Sequence, residues 1–276
     1  MNKHTSEVKR TALRWHGGKW ILAPWIIAHF SAHRIYVEPF GGAMSVLLRK
    51  PRSYAEVYND LDVDVVNFFR VLRSDDASKL RMLLFHTPFS RTEFEDSYAT
   101  CNDAVERARR LVIRSFMGFG SNGHSRVTGF RSNSNRSGST PAHDWANYSE
   151  LLGFLIERLV GVVIENRDAC EVMLQQDGEN TLHYVDPPYV FSSRADFSKD
   201  YAHEMDDASH QSLLETLKGL KGKVVLSGYD SKLYNDALGG WHRVEKEARA
   251  DGAKKRVEVL WLNHKASASL NDGAML

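Results

Sequence analysis

Ile35-Tyr36-Val37-Glu38-Pro39-Phe40-Gly41-Gly42 is a run of β-favouring side chains that ends in an acid, a proline and paired glycines. Branched and aromatic residues suit a pleated strand and glycine permits a sharp exit from it, so the stretch reads as a short strand entering a glycine turn. Downstream, Ala43 to Arg49 resumes helical character, Tyr54 to Tyr58 is a second β-rich run, and Asn59-Asp60 stands at its carboxyl end. Strand, turn, helix and strand in this order form a βαβ unit and predict a parallel sheet. Upstream, Trp20 to Phe30 spaces its apolar residues at helical intervals and predicts one more helix.

Past Asp60 the alternation stops. From Val63 to about Met117 the apolar positions, Val65, Val66, Phe69 and Leu72 among them, recur at helical intervals with no convincing strand. Gly118 to His143 is rich in Gly, Ser, Asn and Arg and reads as a long loop, a length that marks function or disorder in a compact domain. Helix is expected again at about Ala146 to Leu159. Strands then return at Val162 to Glu165, Thr181 to Val185 and Lys223 to Ser227, separated by helical Ala169 to Gln175 and Ala208 to Leu217. Trp241 to Glu247 and Arg256 to Leu262 have no helix between them and read as an antiparallel hairpin. The whole is an α/β sheet interrupted by a helical lobe at roughly residues 61–160.

The 276 residues carry 36 Lys+Arg against 35 Asp+Glu, so any nucleic-acid binding must come from an uneven distribution of charge. Between Arg107 and His143 stand seven arginines and no acid, interspersed with Phe116, Phe119, Phe130 and several Asn and Ser. Arginine suits guanine edges and phosphates, which makes Arg114, Asn122, Arg126, Arg131 and Arg136 the candidate DNA contacts; a solvated flexible loop is the alternative. Cys101 and Cys170 lie far apart without metal or disulfide spacing, and the scattered histidines have no ligand spacing either. We expect a reducing, cytoplasmic setting, no metal and no membrane span.

Ligands of open α/β sheets bind outside the carboxyl ends of the strands. Those ends carry Phe40-Gly41-Gly42, Asn59-Asp60, Asn166 to Asp168 and Asp186-Pro187-Pro188-Tyr189. Glycines allow close backbone approach and an acid after the second strand can accept ribose hydroxyls, an arrangement suited to an adenosine-containing cofactor. Alone, the glycine turn reads sooner as an ordinary strand-to-helix connection, and Asp60 could cap the helix starting near Val63. Asp186 to Tyr189 is sharper. Two prolines after an apolar strand fix an extended backbone and leave their carbonyls as free acceptors. A carboxylate beside a rigid carbonyl can hold both hydrogens of an NH2 group and leave its lone pair aimed at an electrophile, while Tyr189 offers a flat face to a base.

With these residues the chain resembles the Dam-like, D12-class adenine-specific DNA methyltransferases. Leu13-Arg14-Trp15-His16-Gly17-Gly18-Lys19 is similar to that family's Trp-x-Gly-Gly-Lys cofactor motif. Val37 to Val46 resembles its Glu-Pro-Phe-x-Gly-Ala-x-Ser-Val segment, with Met44 where a further glycine is common. Asn59-Asp60, Asp168 and Asp186 to Tyr189 resemble its acid after the second strand, its adenine-contacting acid and its catalytic motif, in the family's order. The resemblance implies a Rossmann-like core, residues 1–60 and 161–276, holding S-adenosyl-L-methionine (AdoMet), and a target-recognition lobe at 61–160. Trp15, Lys19, Asp60 and Asp186 would contact AdoMet, with Glu38, Phe40, Gly41 and Asp168 beside it. The implied reaction is direct methyl transfer to the amino group of an adenine flipped out of double-stranded DNA. Amino-methylation of cytosine or of RNA, and a binding module without turnover, stay open at this level. No target sequence is legible.

Overall fold

The computed structural model of the chain describes residues 8–121, 123, 126–133, 138–191, 203–249 and 255–273. In chain order its elements are α1 (Ala23–Ile27), β1 (Ile35–Glu38), α2 (Ser45–Arg49), β2 (Ala55–Asn59), α3 (Val63–Leu72), α4 (Ala77–His86), α5 (Arg91–Asp96) and α6 (Ala104–Met117). There follow α7 (Pro141–Ala146), α8 (Tyr148–Arg158), β3 (Val162–Glu165), α9 (Ala169–Gln175), β4 (Thr181–Val185) and α10 (Asp207–Gly219). The chain closes with β5 (Lys223–Tyr229), α11 (Lys232–Ala237), β6 (His242–Arg249), β7 (Lys255–Leu262) and α12 (His264–Gly273).

Two compact units result. The sheet unit holds Ile21–Gly41, Lys50–Leu61 and the described part of Gly161–Leu276. The helical unit holds the described part of Met1–Trp20, Gly42–Arg49 and that of Asp62–Val160.

The sheet has seven strands in the order β3-β2-β1-β4-β5-β7-β6. Neighbours from β3 to β5 are parallel, whereas β7 is antiparallel to both β5 and β6, which is the hairpin expected from the sequence. The order reverses between β1 and β4, the switch point at which open sheets present a crevice beyond their strand ends. All five residues of β4 are buried, as a central parallel strand covered on both faces requires. Val185, Leu213, Leu214, Leu217, Leu226 and Trp261 pack in the core beside it.

In the helical unit α3 is started by Asp62, whose Oδ1 accepts the Asp64 and Val65 amides, and α6 by Asp103, which accepts the Glu106 amide. Four of the sequence expectations need correction. The helix expected over Trp20 to Phe30 is only Ala23–Ile27, because Pro24 lacks an amide donor and can sit only in a first turn. The long loop ends earlier than expected, since Thr140 caps the His143 amide and Pro141 opens α7. Two helices were not expected at all. α11 is short, with Tyr234 its one buried side chain, and α12 is a mostly polar stretch without a clear apolar stripe.

Candidate active site

In the sheet unit, parallel register brings the carboxyl ends of four strands level: Glu38 pairs with Tyr58, Asn59 with Glu165 and Val37 with His183. Each end carries one of the anticipated segments. Asn59 ties three of them together. It is fully buried, its Nδ2 donates to the Pro39 carbonyl at 2.9 Å and the Arg167 carbonyl at 3.0 Å, and its Oδ1 accepts the Arg167 amide at 2.9 Å. The Gly41 amide donates to the Asn59 carbonyl at 2.8 Å, and Asn166 donates to the Asp60 carbonyl at 2.7 Å. Sequence reasoning noted Asn59 only as the neighbour of an acid. The available signal was an amide-bearing residue at the end of a buried strand, where loop carbonyls need donors.

Gly41 is required by packing: a Cβ there would stand 2.1 Å from the Tyr58 ring. Glu38 is buried and accepts the Tyr36 hydroxyl at 2.8 Å; burial and that neighbouring carboxylate raise the Tyr36 phenol well above its ordinary pKa. Phe40, half-buried, packs against the cluster that contains Val185 and Val190, the residues flanking Asp186 to Tyr189. Asp60 is half-buried at the end of β2. The cap of α3 is Asp62, so capping does not account for Asp60. Asp168 is exposed and caps α9 through Oδ1, which accepts the Glu171 amide at 3.0 Å.

Asp186 and Pro188 are half-buried directly after β4, and Pro187 is buried. Burial first, then the Asp186 charge, raises the Tyr184 phenol well above its ordinary pKa. Tyr189 is 5% exposed, its ring lies edge-to-face on Tyr229 at 4.3 Å, and its hydroxyl donates to Glu258 at 2.7 Å.

The remaining candidates lie in the helical unit. Trp15 to Lys19 forms a tight turn in which the Gly18 amide donates to the Trp15 carbonyl at 3.1 Å, Gly17 has φ +70° and the buried Lys19 ammonium donates to the Gly17 carbonyl at 2.8 Å. The Trp15 indole packs on Gly42, where a Cβ would stand 2.8 Å from Nε1. Met44, two residues on, is the one non-glycine with positive φ among the described residues, at +58°. The departure from the family's glycine is therefore a buried side chain held in a left-handed conformation that glycine adopts without strain.

Arg114 faces into the unit: it donates to the Ser97 carbonyl at 2.6 Å and lies 3.4 Å from Asp64, with 11% of its side chain exposed. Arg126 is exposed, and half-buried Arg131 donates to the Phe116 carbonyl at 2.9 Å. Asn122 and Arg136 lie outside the described residues. The arginine-rich segment has a built base, in which Gly118 bridges Phe130 and Phe130 packs on Phe89 and Phe94. The Tyr98 hydroxyl donates to the carbonyls of Gly123 and Arg126 and accepts the Thr128 amide, each at 3.3 Å. Among the described residues no cluster of His, Cys, Asp or Glu could hold a metal, and no helix is long and apolar enough to cross a membrane.

A mostly parallel seven-stranded sheet with a terminal antiparallel pair, and acids at the carboxyl ends of β1, β2 and β4, defines a Rossmann-like methyltransferase. The sequence profile of the D12 class N6 adenine-specific DNA methyltransferases matches residues 15–251. The chain belongs to that family, and its reaction is methylation of the adenine N6 amino group in DNA. Membership decides for adenine over cytosine, for DNA over RNA and for an enzyme over a binding module. Among similar proteins, the DNA adenine methylase of Serratia marcescens is 27% identical over 241 residues, spanning 82% of this chain and 86% of that protein. Those of Salmonella typhi and Escherichia coli K12 are each 25% identical, over 247 residues (86% of this chain, 85% of that protein) and 271 residues (91% and 94%).

Proposed function

We propose that the methyl donor is AdoMet, that the loops at the ends of β1, β2 and β3 help hold it, and that Asp186 to Tyr189 presents the adenine. The observation that carries this reading is the position of Asp186-Pro187 at the end of β4, next in the sheet to the β1 end that bears Glu38. The donor set fits a nucleoside with a charged tail: Asp60 is disposed to accept ribose hydroxyls, Phe40 and the Gly41 backbone offer a flat apolar wall, and Glu38 and Asp186 supply negative charge. Asp168 keeps a second carboxylate oxygen beyond its cap bond for an adenine amino group. Trp15 and Lys19 are assigned to the cofactor on their motif. When bound, AdoMet supplies a sulfonium-activated methyl group.

On the adenine side, the Asp186 carboxylate and the Pro187 carbonyl accept the two N6 hydrogens, which turns the nitrogen lone pair out of the ring plane and toward the donor. Pro187 and Pro188 contribute rigidity, since neither can donate and both have fixed φ. A base within a duplex cannot reach such a pocket, so the adenine is extruded and its ring rests against Tyr189. The helical lobe, residues 61–160, reads the target. Its contact segment is the arginine-rich stretch above the Gly118–Phe130 bridge, with Arg126 and Arg131 as the described cations and Asn122 and Arg136 as further sequence candidates. Arg114, committed inside the lobe, acts by shaping that segment.

Asp186→Ala is expected to remove at least a thousandfold of methyl transfer, read as labelled methyl incorporated into DNA, while AdoMet binding stays measurable and the melting temperature is kept. Near-normal turnover by that variant would overturn the assignment. Neutralising Arg126, Arg131 and Arg136 together should weaken DNA binding and flatten its salt dependence without changing AdoMet affinity. Unchanged DNA affinity would remove the segment from the interface.

A further inference from the structure

Glu258 sits on β7, far from every motif, yet it is 3% exposed. A carboxylate is not buried at a strand position without strong hydrogen-bond donors, because desolvating it costs several kcal/mol. Two donors converge on its Oε1: the Tyr189 hydroxyl at 2.7 Å and the Ser227 hydroxyl at 2.8 Å. Ser227 lies on β5, which pairs antiparallel with β7 so that Tyr229 stands opposite Glu258. The Tyr229 ring is the same one that meets the Tyr189 ring edge-to-face at 4.3 Å. The last residue of the Asp186–Tyr189 segment is thus gripped at its hydroxyl and at its ring by neighbouring strands beyond β4.

We propose that Glu258 is a positioning residue for methyl transfer: with Ser227 and Tyr229 it fixes Tyr189, and through the two rigid prolines it fixes where Asp186 and the Pro187 carbonyl point. Pro187 and Pro188 give the segment little internal freedom, so a shift at Tyr189 is passed to Asp186 instead of being absorbed between them. Charge-assisted bonds to a carboxylate are short and directional, which suits a device that must hold an acceptor pair to within a few tenths of an ångström. The inference rests on the reading of Asp186 to Tyr189 as the segment that holds the amino group.

The test compares Glu258→Ala, Glu258→Gln and Tyr189→Phe with Asp186→Ala, each in the full chain, with kcat, KM for DNA, AdoMet affinity and melting temperature measured. Positioning predicts that Glu258→Ala lowers kcat about 30-fold, the loss expected when one charge-assisted bond that holds the acceptor pair in register is removed, with KM and AdoMet affinity within about threefold. Glu258→Gln, which keeps an acceptor oxygen, should recover most of that loss. Tyr189→Phe should lose kcat similarly, and adding Glu258→Ala to it should cost little more, since both remove one interaction. If Glu258→Ala does not fold, Tyr189→Phe with Ser227→Ala gives the same reading. An inactive Asp186→Ala beside normal kcat in Glu258→Ala and Tyr189→Phe overturns positioning alone. An active Asp186→Ala overturns the assignment beneath it. A Glu258→Ala defect confined to melting temperature makes Glu258 a strand clamp and likewise overturns positioning.

Discussion

The sheet unit and the helical unit spend their polar groups differently. In the sheet unit, Asn59, Glu38 and Glu258 are all at most 3% exposed and each is hydrogen-bonded within the unit, Asn59 and Glu258 across to other strands or loops and Glu38 to Tyr36 of its own strand. In the helical unit several ion pairs lie nearer solvent, among them Arg107 to Asp64, and Arg109 and Arg110 to Glu106, with 17–36% of each side chain exposed. A buried polar group bears its full desolvation cost uncompensated when its partner is removed, whereas an exposed group exchanges the partner for water. On the proposed assignment, chemistry that needs fixed angles would lie on the first kind of framework, and a surface that must adapt to a long flexible polymer on the second.

Asn59→Ala should be the most damaging change to that contrast. It strands the buried Pro39 carbonyl and leaves the half-buried Arg167 carbonyl and amide without this partner, an expected loss of about 4 kcal/mol in denaturant unfolding, with AdoMet binding weakened in step. A loss below about 1 kcal/mol would mean that water replaces the side chain, and the two units would then differ less than their burial indicates.

Acid should separate them next. His183 is fully buried in the sheet unit, and desolvation, opposed by Asp177, pushes its pKa from 6.5 down to about 4. A folded pKa below the unfolded one means stability that is present above pH 6.5 and lost as pH falls toward 4, by up to about 3 kcal/mol. In the helical unit Glu106 is held down to about 2 from 4.5, by hydrogen bonds from Arg109 first and Arg110 next, against burial. Its contribution is also present at high pH, but it is lost only between about 4.5 and 2. The sheet unit should weaken first on acidification, and His183→Gln should flatten the upper window alone when stability is followed against pH. One shared window would erase the distinction.

The smallest effect is expected at Tyr98. Tyr98→Phe removes three bonds of 3.3 Å to the Gly123–Thr128 stretch, and the looser loop should cost about fivefold in DNA affinity, roughly 1 kcal/mol, with AdoMet binding unchanged. An equal loss in AdoMet binding would show that the loop is not an independent element.

Much of the sheet was legible because its signals are local. Gly41-Gly42 after β1, the apolar run of β4 and the Pro-Pro pair each declare a strand end within a few residues. What escaped depends on distance or direction. Asn59 and Arg167 are 108 positions apart, and Glu258 and Tyr189 are 69 apart, so neither bond leaves a mark on its own neighbourhood. Arg114 counted toward a basic segment, but composition carries no direction, and its guanidinium turns inward to Ser97 and Asp64. Pro24 was in plain view and shortens α1, a case of local chemistry outvoting an apolar pattern.

The hairpin of β6 and β7 also decides what one border of the sheet presents to its surroundings. It makes β6 the outer strand on one side of the sheet, and β6 exposes Arg243, Glu245, Lys246 and Glu247 in close succession. The opposite border is β3, only four residues long. An open strand is a template for joining edge to edge, and a crowd of charges or a very short edge is the usual deterrent. Both borders of this sheet are thereby guarded against growing into a neighbour's, so that even a concentrated solution of the chain has no open edge on which sheets could stack.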